Sequence, residues 1–197
     1  MWTEQPMLHL LPHWNWTPGD TIDVWAYTNA DAVELFLNGT SLGTKRKPEP
    51  VSHLMWRVAY TPGTLRAVSR KEGRVWATAE VRTAGAPVRV ALAPDRARLR
   101  ANGDDLSFVT VTVQDRAGAL VPTAEPLIRF GLSGGDARIV GVDNGDQTSH
   151  TSFKANQVRL FSGKALVIIR AGTRPGTVTL TAAGDGLTPS AVRLQLR

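Results

Sequence analysis

The sequence contains no cysteine and no long apolar run, and these two absences remove several classes of protein. Without cysteine, a chain of 197 residues has no disulfide framework, no thiolate metal site and no cysteine nucleophile. No apolar stretch approaches the roughly 18 residues of a membrane-spanning helix. The first residues also lack the basic and apolar regions of a signal peptide. The sequence therefore begins as a cytoplasmic protein does, or it is a piece of a longer chain.

Motifs of several enzyme classes are also missing. The sequence has no Gly-x-Ser-x-Gly elbow of a serine hydrolase and no glycine-rich loop of the phosphate-binding or dinucleotide-binding kind. His9 and His13 have the spacing that directs two helical histidines at one metal ion, but Pro12 breaks such a helix and no carboxylate has a matching position. We therefore predict no metal site and no cofactor.

Positive charge is spread along the chain rather than concentrated in one block. The net charge is +6, with nine basic and eight acidic residues up to residue 84 and fourteen and nine after it. Basic residues mostly alternate with apolar ones, as in Val88-Arg89-Val90, which is typical of the solvent side of strands. Lys45-Arg46-Lys47 is the one run of three. We predict neither a nucleic acid nor a membrane as partner.

Composition changes near residue 84. All six tryptophans precede residue 77, whereas thirteen of the eighteen glycines lie from Gly85 onward. The small residues and proline of Thr83-Ala84-Gly85-Ala86-Pro87 are typical of a joint between two units. We predict a tryptophan-rich domain over residues 1–84 and a glycine-rich domain over residues 85–197.

Both halves show the period-two alternation of β-strands, and no window shows a convincing helical period. In the first half the predicted strands are Thr21–Tyr27, Val33–Leu37, Ser41–Gly43, Trp56–Tyr60 and Arg74–Val81, with a type I′ hairpin at Asn38-Gly39 and a turn at Pro62-Gly63. In the second half they are Val88–Ala93, Phe108–Gln114, Leu127–Leu132, Ala137–Val142, Gln157–Leu160, Ala165–Arg170, Thr177–Ala182 and Ala191–Leu196. Their spacing predicts an all-β fold of two tandem immunoglobulin-like β-sandwich domains.

The tryptophans supply candidates for a binding surface. Trp25 and Trp56 lie at strand centres, where a tryptophan is more often part of a sandwich core than a platform for a sugar. Trp14 and Trp16 flank Asn15 in a loop-like approach to the first strand. Aromatic residues there form either a docking surface or a lid on the core. Trp14, Asn15 and Trp16 are therefore candidates for docking or sugar contact.

Acidic residues supply weaker candidates. Asp104 and Asp105 are neighbours, so on a strand their side chains point to opposite faces and do not converge. Asp143, Asn144 and Asp146 surround an Asn-Gly turn that suits calcium or a sugar, although no glutamate follows at the spacing of an EF-hand. The alternative, which the pattern favours, is a hairpin turn whose aspartates bind local N–H groups.

Several stretches resemble the C-terminal part of family 2 glycoside hydrolases of the bacterial β-galactosidase type. The stretch Pro6–Trp16 is similar to their join between catalytic barrel and C-terminal modules. Further similar stretches are Thr28–Gly39, Pro62–Leu65, Asp104–Val111, Asp143–Asp146 and Phe161–Val167. The resemblance spans essentially the whole chain and implies an origin in a large exo-acting β-glycosidase. The two catalytic glutamates of that family lie in an upstream (β/α)₈ barrel, so the resemblance implies no catalytic residue here.

A non-catalytic pair of domains that packs against such a barrel is our first hypothesis. Residues 1–20 then face the barrel, which leaves Leu11, Trp14 and Trp16 partly exposed in the isolated chain. The compartment stays open, with the periplasm or the extracellular space favoured for the parent enzyme.

Two other functions remain as alternatives. A carbohydrate-binding module requires a shallow groove with coplanar aromatic rings. An independent enzyme built on Asp143 and Asp146 requires their carboxyl groups about 5–9.5 Å apart across an open cleft, and no motif supports it.

We expect the purified chain to fold without hydrolysing nitrophenyl β-galactoside above the buffer rate. Cleavage needs two carboxyl groups beside one anomeric carbon, one of them with a raised pKa, whereas these acidic residues mostly lie in turns. The measurement is a long incubation at high protein concentration, with Asp143→Ala and Asp146→Ala as controls. Turnover that disappears in either variant would contradict the prediction.

Overall fold

The computed structural model describes residues 4–48 and 53–197, which form sixteen β-strands and no helix. The predicted all-β class is confirmed. The chain forms two compact units, Met1–Thr83 and Ala84–Arg197, divided at the joint of small residues. Within the described part of the chain, no helix is long and apolar enough to cross a membrane.

Seven strands are described in the first unit. They are β1 Leu8–Leu11, β2 Thr21–Thr28, β3 Ala32–Leu37, β4 Thr40–Arg46, β5 His53–Ala59, β6 Thr64–Lys71 and β7 Arg74–Arg82. One sheet has the order β1-β2-β5 and the other the order β4-β3-β6-β7, with every neighbouring pair antiparallel. The core that these sheets share contains Val24, Leu35, Trp56 and Leu65.

The β3–β4 hairpin follows from its turn residues, as predicted. Asn38 has φ 50° and Gly39 has φ 86°, the two positive values that a type I′ turn requires. The Asn38 side chain also accepts the N–H of Thr64 at 2.8 Å, which ties the hairpin to the start of β6.

Two strands of the first unit were not predicted. β1 was interpreted as a connecting stretch, yet it pairs with β2 from Leu8 opposite Thr28 to Leu11 opposite Trp25. β6 was also not predicted. Its turn into β7 places a non-glycine residue, Glu72, in the left-handed region at φ 51°. The N–H of Glu72 donates to the Asp31 carboxylate at 2.8 Å, which holds the turn without a typical sequence signal.

The predicted exposure of Trp14 is wrong. Its side chain is fully buried in the core of the first unit. The indole N–H donates to the Thr61 carbonyl at 3.0 Å, and the ring meets Tyr60 edge to face at 5.2 Å between centroids. The Thr83 hydroxyl donates to the Trp14 carbonyl at 2.7 Å. Trp14 thus closes the core instead of facing outward, because burial of a large apolar ring whose N–H is satisfied is favourable.

Nine strands are described in the second unit. They are β8 Arg89–Pro94, β9 Arg98–Leu99, β10 Leu106–Gln114, β11 Leu127–Ser133, β12 Ala137–Asp143, β13 Gln157–Arg159, β14 Lys164–Ala171, β15 Gly176–Gly184 and β16 Ser190–Leu196. The sheets have the orders β12-β14-β10-β8 and β13-β11-β15-β16-β9. The eight predicted strands lie within two residues of those observed. The short β9, which pairs parallel to β16, was missed.

We expect Trp14→Ala to destabilise the first unit by about 3–5 kcal/mol, since it leaves a cavity and an unpaired Thr61 carbonyl. The matched control is Trp16→Ala, which removes an exposed indole and should cost less than about 1 kcal/mol. Urea unfolding followed by circular dichroism measures both. Equal losses in the two variants would contradict the burial of Trp14.

Candidate functional site

The N-terminal segment, which we define as residues 4–20, keeps two of its apolar side chains in solvent. Leu11 is 42% exposed and Trp16 is 38% exposed. The Trp16 ring stacks on His13 at 4.7 Å between centroids, and its N–H donates to the His13 carbonyl at 2.8 Å. Asn15 is half-buried and its N–H donates to Nδ1 of His13 at 3.2 Å. Of the three predicted docking residues, Trp14 is therefore internal, whereas Asn15 and Trp16 lie at or near the surface.

His13 supports this arrangement in its neutral form. Partial burial lowers the pKa of His13, because desolvation disfavours the charged imidazolium. A neutral imidazole leaves Nδ1 free to accept the Asn15 N–H. The Trp16 ring is thus held in a defined orientation.

Trp25 is the second exposed tryptophan of the first unit, and its expected place in the core is wrong. The Trp25 side chain is 38% exposed on the outer face of the β1-β2-β5 sheet, whereas Trp56 of β5 is buried as expected. The Trp25 ring stacks on His53 at 4.7 Å with 10° between the ring planes. Tyr27 contacts both rings, at 6.3 Å from Trp25 and 5.3 Å from His53. His53 was not predicted here, although its position one residue before the buried Leu54, on the opposite parity to Leu54 and Trp56, was a signal available in the sequence.

The polar side chains of the Asp143–Asp146 turn form hydrogen bonds with nearby groups of the chain. One carboxylate oxygen of Asp143 accepts the N–H groups of Asn144 and Gly145 at 2.8 and 3.2 Å. The Asn144 amide donates to the Arg159 carbonyl and accepts the Asp146 N–H, both at 3.0 Å. Asp146 accepts the N–H and the hydroxyl of Thr148. The aspartates thus bind local N–H groups, as predicted, rather than forming an open ligand site. The predicted hairpin is wrong, because β12 and β13, which flank this loop, belong to different sheets.

Metal-ligating side chains do not converge elsewhere in the described ranges. Within residues 4–48 and 53–197, no group of three or more histidines and carboxylates is placed to hold one ion. His9 lies exposed on strand β1, and His13 stacks on Trp16.

Backbone N–H groups lower the pKa of four aspartates in the second unit, Asp105, Asp115, Asp136 and Asp146. Asp115 is the most enclosed, at 7% exposed, and accepts the N–H of Gly85 at 2.9 Å and that of Ala119 at 2.8 Å. Donors aimed at a carboxylate favour its ionised form, the opposite of what a catalytic acid needs. These aspartates act as caps for loops.

Three clefts in the described residues contain charged groups. The smallest, of about 10 Å³, is lined by Asp143 and Asp146, whereas each of the two larger ones has one carboxylate among its lining residues. A cleft of about 590 Å³ in the first unit has Phe36 and Glu80, and the Glu80 carboxylate meets Arg66 at 3.8 Å and Arg82 at 2.8 Å. A cleft of about 310 Å³ in the second unit has Asp136, which accepts the N–H of Thr173 at 3.0 Å. Neither of the larger clefts supplies the carboxylate pair of a glycosidase, and the cleft at Asp143 and Asp146 is too small to hold a sugar ring.

The deciding similarity lies in the second unit. Residues 90–193 match the model of the glycoside hydrolase family 2 C-terminal domain 5. The chain belongs to glycoside hydrolase family 2. Residues 19–77 match a second model, which describes a domain of unknown function. The resemblance stated from the sequence is confirmed.

A small part of each family 2 relative matches nearly the whole of this chain. A β-galactosidase of Bacteroides ovatus is 47% identical over 194 residues, which are 98% of this chain and 23% of the relative. A β-glucuronidase of Formosa agariphila is 26% identical over 99% of the chain and 20% of its own length. The crystal structure of a β-glycosidase from Bacteroides vulgatus superposes with a TM-score of 0.92 at 37% identity, covering 98% of this chain and 25% of that one. The chain thus spans about a quarter of the length of such relatives.

We expect the stability of the second unit to fall in acid. Because backbone donors lower the folded-state pKa of these aspartates, the stability they supply is complete above the unfolded pKa of about 3.9 and is lost as the pH falls through the folded value. Asp115→Asn should lower the melting temperature at pH 7 and reduce the further fall between about pH 5 and pH 3.

Thermal unfolding across this pH range measures the effect. Asp185→Asn is the matched control, since that side chain is 91% exposed and pairs with Arg129 alone. An unchanged acid profile in Asp115→Asn would contradict the role of Asp115.

Proposed function

We propose that this chain is a non-catalytic accessory region of a family 2 glycosidase. In this proposal its two sandwiches, both immunoglobulin-like, extend and support a catalytic (β/α)₈ barrel in the same polypeptide. The relatives named as β-galactosidase and β-glucuronidase support a parent enzyme that cleaves a terminal β-glycoside, and their greater length leaves room for the barrel. Most carboxylates of the described residues bind backbone N–H groups or form ion pairs, which supports an inactive chain.

The proposal that this chain docks on the barrel depends on the exposure of two side chains in the N-terminal segment. Leu11 and Trp16 are large apolar side chains in solvent, whereas Trp14, between them in the sequence, is buried in the core. Both lie within six residues of the same segment, and a concentration of exposed apolar groups is typical of a surface that another body covers. We assign Leu11 and Trp16, with Asn15 between the two tryptophans, to contact with the barrel.

The carbohydrate-binding alternative has less geometric support. A sugar site needs a shallow groove lined by aromatic rings, whereas none of the three clefts described above is lined by a tryptophan. Titration of the chain with galactooligosaccharides, followed by tryptophan fluorescence, tests this alternative. A saturable change would favour it over docking.

A graft tests the docking proposal, with this chain replacing the 194 matching residues of the B. ovatus β-galactosidase. In the graft, Leu11→Ser with Trp16→Ser should shorten the half-life of activity on heating roughly tenfold, the equivalent of about 1.4 kcal/mol of lost contact. The unfolding of the isolated chain should change little, because both side chains are exposed there.

The control pair is Leu42→Ser with Val75→Ser, which removes exposed apolar side chains from the other sheet. Equal half-lives for the two double variants would contradict docking through the N-terminal segment.

A further inference from the structure

The outer face of the β1-β2-β5 sheet carries two complete rows of apolar and aromatic side chains. Strand register places Leu11 opposite Trp25 and Trp25 opposite Met55, so these three side chains cross the sheet in one row. All three are exposed, Met55 at 39%. The neighbouring row crosses the same strands as His9, Tyr27 and His53. We call these six residues the aromatic face.

This face differs from the outer face of the other sheet in the same unit. There charged and apolar side chains are mixed: Glu80 pairs with Arg66 and Arg82, and Glu34 accepts the hydroxyl of Ser41 at 2.8 Å, while the sheet also exposes Leu42 and Val75. An antiparallel sheet usually pairs one buried face with one polar, solvated face. The β1-β2-β5 sheet departs from that rule, because two neighbouring rows of its outer face carry six apolar or aromatic side chains. The exception calls for something that covers the aromatic face.

The edge of the aromatic face is polar. One register step beyond Trp25, Asp23 stands opposite Arg57, and their side chains form an ion pair at 3.4 Å with both partners in solvent. An apolar centre rich in Trp, Tyr and Met beside a charged rim is the composition of a protein–protein interface. Leucine and methionine beside Trp25 offer no hydrogen bonds to sugar hydroxyls, and they adapt to an apolar partner surface.

The position of Leu11 indicates which partner covers the aromatic face. Leu11 belongs to both the aromatic face and the N-terminal segment, so a body that covers Leu11 and Trp16 reaches the edge of the row that Trp25 and Met55 complete. Three quarters of the length of the relatives lies outside the part they share with this chain. That remainder is large enough to cover a three-stranded sheet.

We propose that the aromatic face is a docking surface for the catalytic part of the family 2 polypeptide, with Trp25 as its central anchor. This inference rests on the proposed function and extends it from the N-terminal segment to β2 and β5. Tryptophan anchors at the centre of an interface carry a large share of its free energy. His53 stacks on the Trp25 ring and Tyr27 lies beside it, so both restrict its orientation.

Hydroxyl-radical footprinting with mass spectrometry tests the proposal on the isolated chain and on the graft into the B. ovatus β-galactosidase. Trp25 and Met55 should oxidise at least about fivefold more slowly in the graft, because a docked interface excludes solvent from its centre. Val75, 56% exposed on β7, serves as the internal reference, with an added dosimeter to calibrate the radical dose. If the graft does not fold, the same footprint is taken on the isolated chain mixed with the B. ovatus enzyme from which the matching residues are deleted.

The result separates this inference from the proposal beneath it. Slower oxidation of Trp16 together with unchanged oxidation of Trp25 and Met55 overturns the aromatic face alone. Unchanged oxidation of all three residues overturns the docking proposal as well.

Two measurements on the isolated chain test other occupants of the aromatic face, namely a sugar and a second copy of the chain. A fluorescence change with galactooligosaccharides that Trp25→Ala abolishes would make the face a sugar platform and overturn the inference. Sedimentation of a dimer that Trp25→Ser dissociates would make the occupant a second copy, with the same consequence. A monomer that gives a flat titration supports docking to the catalytic part.

Discussion

Side-chain alternation along β2 is the constraint on which the first unit depends. A strand directs successive side chains to opposite faces, so placing Ile22, Val24 and Ala26 in the core commits Asp23 and Trp25 to the outside. A shift of one residue would bury Asp23 and expose Val24. The core thus fixes the register, and the register places the tryptophan in solvent. The exposed position of Trp25 is a consequence of a well-packed core, and the proposed docking gives that exposed ring a function.

The acidic side chains of the second unit are used to stabilise loops. Asp105, Asp115, Asp136 and Asp146 each accept backbone N–H groups, and these donors keep the carboxylates ionised. A glycosidase instead isolates one carboxyl group in an apolar environment so that it stays protonated. The electrostatics of this unit therefore serve loop geometry. That use of aspartate agrees with a chain whose contribution to a family 2 enzyme is mechanical.

Local patterns predicted most strands because period-two alternation and the Asn38-Gly39 turn act over a few residues. They missed β6, whose end depends on the distant Asp31 accepting the N–H of Glu72, and they could not place Trp14, whose indole meets Thr61 far along the chain. The exposure of Trp25 was within reach of local pattern, because Trp25 shares its parity with Asp23. The pairing of β2 with β5 agrees, since it sets Trp25 opposite the exposed Met55 and Trp56 opposite the buried Val24.

An accessory role without catalysis predicts a specific structure for the graft into the B. ovatus β-galactosidase. Determination of that structure by crystallography or electron microscopy shows what contacts the β1-β2-β5 sheet. The docking account predicts side chains of the catalytic part within about 4.5 Å of Leu11, Trp16 and Trp25, the distance at which apolar groups are in contact. A sheet whose outer face remains in solvent, or carries a bound sugar, would contradict it.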